Sequence, residues 1–142
     1  MFFLALWIAS FFLNFFWESL HGLLFQDHPA MAAVRYVPMM LEMAVYDAFA
    51  VSGVYLLVSL LNRAPVWRPT LRNILLYEVL AVFTAAFTEH AAVRILHQWA
   101  YLPSMPLVFG LGITPLVQLA LTGLVSILAA GRISFSSGGR SA

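Results

Sequence analysis

The sequence has no cysteine and no lysine, and only 9% of its 142 residues are charged. Without cysteine there are no disulfides, no thiolate metal sites and no thiol catalysis. All seven basic residues are arginine. Such a bias fits a GC-rich bacterial genome, and with it a bacterial cytoplasmic (inner) membrane as the location. Seven basic residues against six acidic ones leave +1, which gives no electrostatic footprint for nucleic acid. The missing charge is replaced by apolar residues: 63% are hydrophobic and the mean hydropathy is +0.91. An average soluble domain is about 45–50% apolar and about 25% charged. An ordinary soluble domain and a disordered chain are both excluded.

One bilayer-crossing helix takes about 20 apolar residues. Four spans with short loops nearly use up this length and leave no room for a separate soluble domain. The expected fold is all-α: a polytopic membrane protein of four antiparallel transmembrane helices at 2–25, 38–61, 71–97 and 106–130, followed by a disordered tail at 132–142. Residues 1–25 lack a basic leader and a small-x-small cleavage site, so they read as a retained first span. Gln26-Asp27-His28-Pro29, Pro65, Pro69 and Pro103 mark the loops, and Gly131 marks the last helix end. With four spans, both termini and the second loop share a side. That side carries Arg63, Arg68, Arg72, Arg132 and Arg140, so the positive-inside rule places both termini in the cytoplasm. Tyr36, Trp99 and Tyr101 are expected in the outer aromatic belt and Trp67 in the inner one. Tyr36-Val-Pro-Met-Met40 and Tyr101-Leu-Pro-Ser-Met105 share a pattern that hints at a duplicated hairpin.

Polar residues inside the predicted spans carry the functional signal. A central charge costs roughly 2.5–3.5 kcal/mol on insertion scales. Glu18, Glu42, Asp47, Glu78, Glu89 and Arg94 all fall inside spans. Asn14, Glu18 and His21 share one helical face beside Trp17. Glu18-x-x-His21 has the spacing of one di-iron ligand pair, but that site needs two such pairs and two further glutamates, so no metal is assigned. His90, Arg94 and His97 form another stripe, with Arg94 either neutralising a carboxylate or holding an anionic headgroup, and His97 reaching the interface. Asp47, beside Tyr46, is too short to snorkel and needs a partner or a proton. Met39, Met40 and Met43 read as adaptable packing. Gly110, Gly112 and Pro115 allow close helix approach or a broken fourth helix, with Gln118 as a partner for freed backbone groups. Most of these residues fall at one depth, which predicts a polar cavity opening toward the outer leaflet.

At Asn14-x-x-Trp17-Glu18-x-x-His21, Asp47, Glu89, Trp99-x-Tyr101, Met105-Pro106 and Pro115-Leu-x-Gln118 the chain resembles a group of small bacterial four-span membrane proteins. The resemblance covers about 11–121 and implies the fold and the residues to watch, but no activity. A fainter likeness is to the integral-membrane lycopene cyclase domain and related membrane terpene cyclases. Those have short apolar helices with intramembrane carboxylates, and a Trp-x-Tyr followed by a Pro-Leu-acid motif. Here that motif reads Pro115-Leu-Val-Gln118, so cyclase-type chemistry would need Glu18, Asp47 or Glu89 as the acid.

Three functions are open on this reading. The first is a pocket for a membrane lipid or isoprenoid, with acid/base chemistry by Glu18, His21, Asp47 and Glu89. Asn14, Trp17, Tyr46, His90, Arg94, Trp99, Tyr101 and Gln118 are the expected substrate contacts, with no cofactor. The second is a small proton-coupled transporter using Glu18. The third is an accessory subunit, in which a homo-oligomer or a larger membrane complex supplies the partners.

Overall fold

The computed structural model describes the backbone of residues 1–138 and the side chains of residues 1–134. The chain is an all-α, multi-pass architecture of four helices: α1 (Phe2–His21), α2 (Ala33–Leu61), α3 (Leu71–His90) and α4 (Ile113–Gly138). Each is long and apolar enough to cross a membrane. Short connections make neighbours in sequence antiparallel. Pro65 and Pro69 keep the α2–α3 connection out of helix, and the Thr70 side chain then accepts from the Asn73 backbone N–H at 3.4 Å to start α3.

The two loops at one end are stitched together. Gln26 N–H donates to Ala100 O at 2.8 Å, and Leu102 N–H to Leu24 O at 2.9 Å. We call this the hairpin end, because a two-stranded hairpin, β1 (Leu107–Val108) and β2 (Leu111–Gly112), leads into α4 there. The opposite, terminal end holds Met1, the α2–α3 connection and the far end of α4. Leu6, Val51, Tyr55, Val58 and Tyr77, each fully buried, fill that half with a packed core. Tyr77 lies against Gly123 and donates to Leu119 O at 3.3 Å, an approach to α4 that a side chain at 123 would block.

The helices form an open ring. α1 packs broadly on α2 and α4, and α4 on α3, whereas α2 and α3 meet sparsely.

Several helix limits differ from expectation. α2 begins at Ala33 rather than 38 and carries Pro38 inside it. Only the bond to the Val34 carbonyl is lost there, at a helix end where Val34 is exposed. The third span leaves α-helix after His90 and continues as a π-helical turn, Ala91–Ile95. His97 is off the helix with φ +50°. Residues 106–112 precede α4 instead of belonging to it. Phe109 and Gly110, both at positive φ, make the tight turn of the hairpin. Pro115 therefore sits in the first turn of α4, where no bonded N–H is lost, and does not break the helix. α4 runs through Gly131 to Gly138, because extending a formed helix past one glycine costs only about 1 kcal/mol. The predicted tail is thus helical over its first part, and 139–142 lie outside the described residues. The two Tyr-x-Pro-x-Met segments take different structures, one inside α2 and one in a loop, so they are not a structural repeat.

Candidate functional site

Two polar stripes face each other across the α1–α4 interface. Ser10, Asn14, Glu18 and His21 lie along one face of α1. Thr114, Gln118, Thr122 and Ser126 recur every four residues on α4. They pair in antiparallel register. Thr122 Oγ1 donates to Asn14 Oδ1 at 2.9 Å, and Gln118 Nε2 donates to Glu18 Oε1 at 2.8 Å. His21 Nδ1 meets Thr114 Oγ1 at 3.2 Å. α2 adds Asp47, whose Oδ2 accepts from the same Gln118 Nε2 at 2.6 Å. That nitrogen also reaches Asn14 Oδ1 at 3.1 Å.

The bookkeeping of hydrogens is informative. Gln118 Nε2 has two hydrogens; with Thr122 serving Asn14 Oδ1, its two shortest bonds go to Glu18 and Asp47. Glu18 and Asp47 are thus brought together on one amide nitrogen, at 2.8 and 2.6 Å. His21 lies on the other side of Glu18. Thr114 Oγ1 donates to Met105 Sδ at 3.2 Å, so His21 Nδ1 is assigned the hydrogen that Thr114 accepts. His21 Nε2 then faces Glu18 Oε1 at 3.2 Å, at ion-pair distance though not aligned as a hydrogen bond. His21, Glu18 and Asp47 thus form a continuous polar line, its last link made through the Gln118 amide.

Glu89 is held separately. The π turn after α3 bends the chain back so that Trp99 and Tyr101 return over the helix end. Trp99 Nε1 donates to Glu89 Oε1 at 3.2 Å and Tyr101 Oη at 2.6 Å. Burial, reinforced by the bond to Glu89, holds the Tyr101 hydroxyl above the ordinary tyrosine range, so it stays a donor. Both bonds fall on one carboxylate oxygen of Glu89.

Glu18, His21, Asp47, Glu89 and Gln118 line one cavity of about 680 Å³. Met39, Met43 and Ala50 of α2 form one wall, and Thr84, Ala85 and Thr88 of α3 the other. It therefore occupies the seam where α2 and α3 part, in the half toward the hairpin end. Tyr46 stands exposed at its rim and donates to Glu42 Oε1 at 2.8 Å. Among the described residues no group of three His, Asp or Glu is placed to hold a metal ion.

Of the expected site residues, Asn14, Glu18, His21, Asp47 and Gln118 form one hydrogen-bonded cluster, and Glu89, Trp99 and Tyr101 form a second on the same cavity. Trp99 and Tyr101 thus turn toward Glu89, and Trp67, expected in an interfacial belt, is buried and stacks on Tyr55 at 4.9 Å in the core. Trp17 stands beside the site, 6.4 Å from His21 ring to ring, and does not line the cavity. His90 and Arg94 are exposed and away from it. His90 follows Glu89 by a third of a turn, and the π turn shifts the register so that Arg94 points elsewhere, donating to Gly110 O at 3.4 Å. Arg94 neither neutralises a carboxylate nor joins the pocket. The sequence reading does not single out Thr114 and Thr122, for which the four-residue spacing of Thr114, Gln118 and Thr122 is the available signal. Met39, Met40 and Met43, read as packing, also line the cavity.

Comparison with protein-family models, with curated proteins and with solved structures finds no match for this chain.

Proposed function

We propose that this membrane protein takes a lipid or isoprenoid into the cleft between α2 and α3 and exchanges protons with it through Glu18, His21, Asp47 and Glu89. One observation carries the reading: a single cavity of about 680 Å³ brings the carboxyls of Glu18, Glu42, Asp47 and Glu89 and the imidazoles of His21 and His28 onto walls that also carry Met39, Met40, Met43, Ala50, Ala85 and Phe25. Its size falls within the roughly 300–1,000 Å³ of small-molecule sites. Its position at a lateral seam suits a ligand that arrives from the bilayer. Glu18, 3.2 Å from His21 Nε2 and joined to Asp47 through Gln118, is suited to general acid and general base work in turn. The faces of Phe25, Tyr46 and Trp99 suit a developing positive charge. The packed core of the terminal half favours a one-ended site over a path through the protein, and so favours this reading over transport. With Arg63, Arg68, Arg72 and Arg132 at the terminal end, the positive-inside rule puts that end in the bacterial cytoplasm and the cleft in the outer half.

The test is native mass spectrometry with lipidomics on protein purified in mild detergent, wild type beside Glu18→Gln. The reading expects a lipid or isoprenoid retained by the wild type and lost or reduced in the variant. A protein partner at fixed stoichiometry with no retained small molecule would replace it with an accessory-subunit role.

A further inference from the structure

The cavity has a one-sided chemistry that narrows its ligand. Glu18, Glu42, Asp47 and Glu89 line it, and among the described lining residues there is no arginine or lysine. Its strong donors are already spent on its own acceptors. Gln118 Nε2 serves Glu18 and Asp47. Trp99 and Tyr101 serve Glu89, and Tyr46 serves Glu42. His28 Nδ1 lies 2.8 Å from Gly22 O, which can only accept, so that nitrogen is a donor already used. The remaining side-chain donors on the lining are the neutral Thr84, Thr88 and Gln98, and His21, whose Nδ1 serves Thr114 and whose Nε2 faces Glu18 Oε1 at 3.2 Å. The cavity therefore offers acceptors in surplus, and four carboxyls against no arginine or lysine, with His21 already turned to Glu18. A phosphate or carboxylate headgroup brings only acceptors and a like charge, and both are costly to bury unpaired.

Resting on the cleft as a lipophile site, we infer that its ligand carries a hydrogen-bond donor and no negative charge at its polar end, as an amine or an alcohol does. The two sources differ in charge. A protonated amine gains from the carboxyls and from the aromatic faces of Phe25 and Trp99, whereas an alcohol gains only the hydrogen bonds. Isoprenoid phosphates, fatty acids and acidic phospholipids are rejected on either source.

The experiment measures binding of farnesylamine, farnesol and farnesyl phosphate, which share one apolar chain. Binding is read by tryptophan fluorescence on the full chain in phosphatidylcholine nanodiscs. Two variants accompany the wild type: Glu18→Gln combined with Asp47→Asn, and Ala50→Trp, which fills the cleft without touching a charge. The inference expects the amine or the alcohol to bind at least about tenfold more tightly than the phosphate, and Ala50→Trp to abolish that binding. If the carboxyl variant weakens the amine and spares the alcohol, the amine is the favoured source. If the alcohol binds the wild type at least as well as the amine, the alcohol is. Equal or tighter binding of the phosphate would overturn the inference while leaving the cleft as a lipophile site. If no compound binds the wild type better than Ala50→Trp, the cleft reading falls as well. The Ala50→Trp comparison does not depend on the carboxyl variant folding.

Discussion

Gln118 holds the position where the terpene-cyclase resemblance expects an acid, and it acts as the donor hub of the site. Its amide binds Asn14 from α1, Glu18 from α1 and Asp47 from α2. Gln118→Leu removes the donor that Glu18 and Asp47 share and is expected to cost about 1–3 kcal/mol, read as a fall in the unfolding midpoint in detergent. Gln118→Glu removes the donor and adds another carboxyl beside two others, so its midpoint should fall further. An unchanged midpoint in both would contradict the hub. Tyr101 supplies a pH test. Its hydroxyl is held above the ordinary value of 10 by burial and by Glu89. Stability linked to its neutral form is present below pH 10 and is lost as pH rises beyond 10, where the unfolded chain releases its proton first. Tyr101→Phe is therefore expected to flatten part of the alkaline fall in stability. The polar cluster was legible because Glu18, Asp47 and Glu89 interrupt apolar runs. His90 and Arg94 were misplaced because their direction depends on a π turn that local spacing does not encode.

At the scale of elements, helix pairs are held by close approach and by the polar zipper more than by shape alone. Gly123 is the sharpest case. A methyl group at 123 would run into the Tyr77 hydroxyl. Gly123→Ala is expected to destabilise by about 1–3 kcal/mol, as overpacking does, and Tyr77→Phe in the same chain should recover part of it. A double-mutant cycle of thermal midpoints checks this; strict additivity would separate the two positions. The existence of the four helices was legible from long apolar runs. Their limits were less so, because proline and glycine are compatible with more than one local structure. Pro38 lies within a helix, Pro115 opens one, and Gly110 makes a turn.

At the scale of the whole molecule, the open seam between α2 and α3 was not legible at all. Each helix presents apolar residues to lipid and neighbours alike, so periodicity says little about which pairs meet. The absence of cysteine makes the seam testable. In Met43→Cys/Thr88→Cys, both positions line the cavity from opposite walls, and a bifunctional maleimide has no other thiol to react with. Bridging the two is expected to stop both uptake and release of a bound lipophile, with singly modified protein unaffected. Exchange at an unchanged rate would mean that ligand passes elsewhere.

The most direct measurement is photolabelling of the full chain in nanodiscs with a diazirine-bearing farnesyl probe, followed by peptide mapping. A ligand seated in the cleft labels the wall positions on 39–50 and 84–89, and Ala50→Trp suppresses that label. Label confined to the outward residues Phe12, Phe16 and Leu20 of α1, unchanged in Ala50→Trp, would mean that the probe contacts the protein only as bulk lipid does, and would contradict the account.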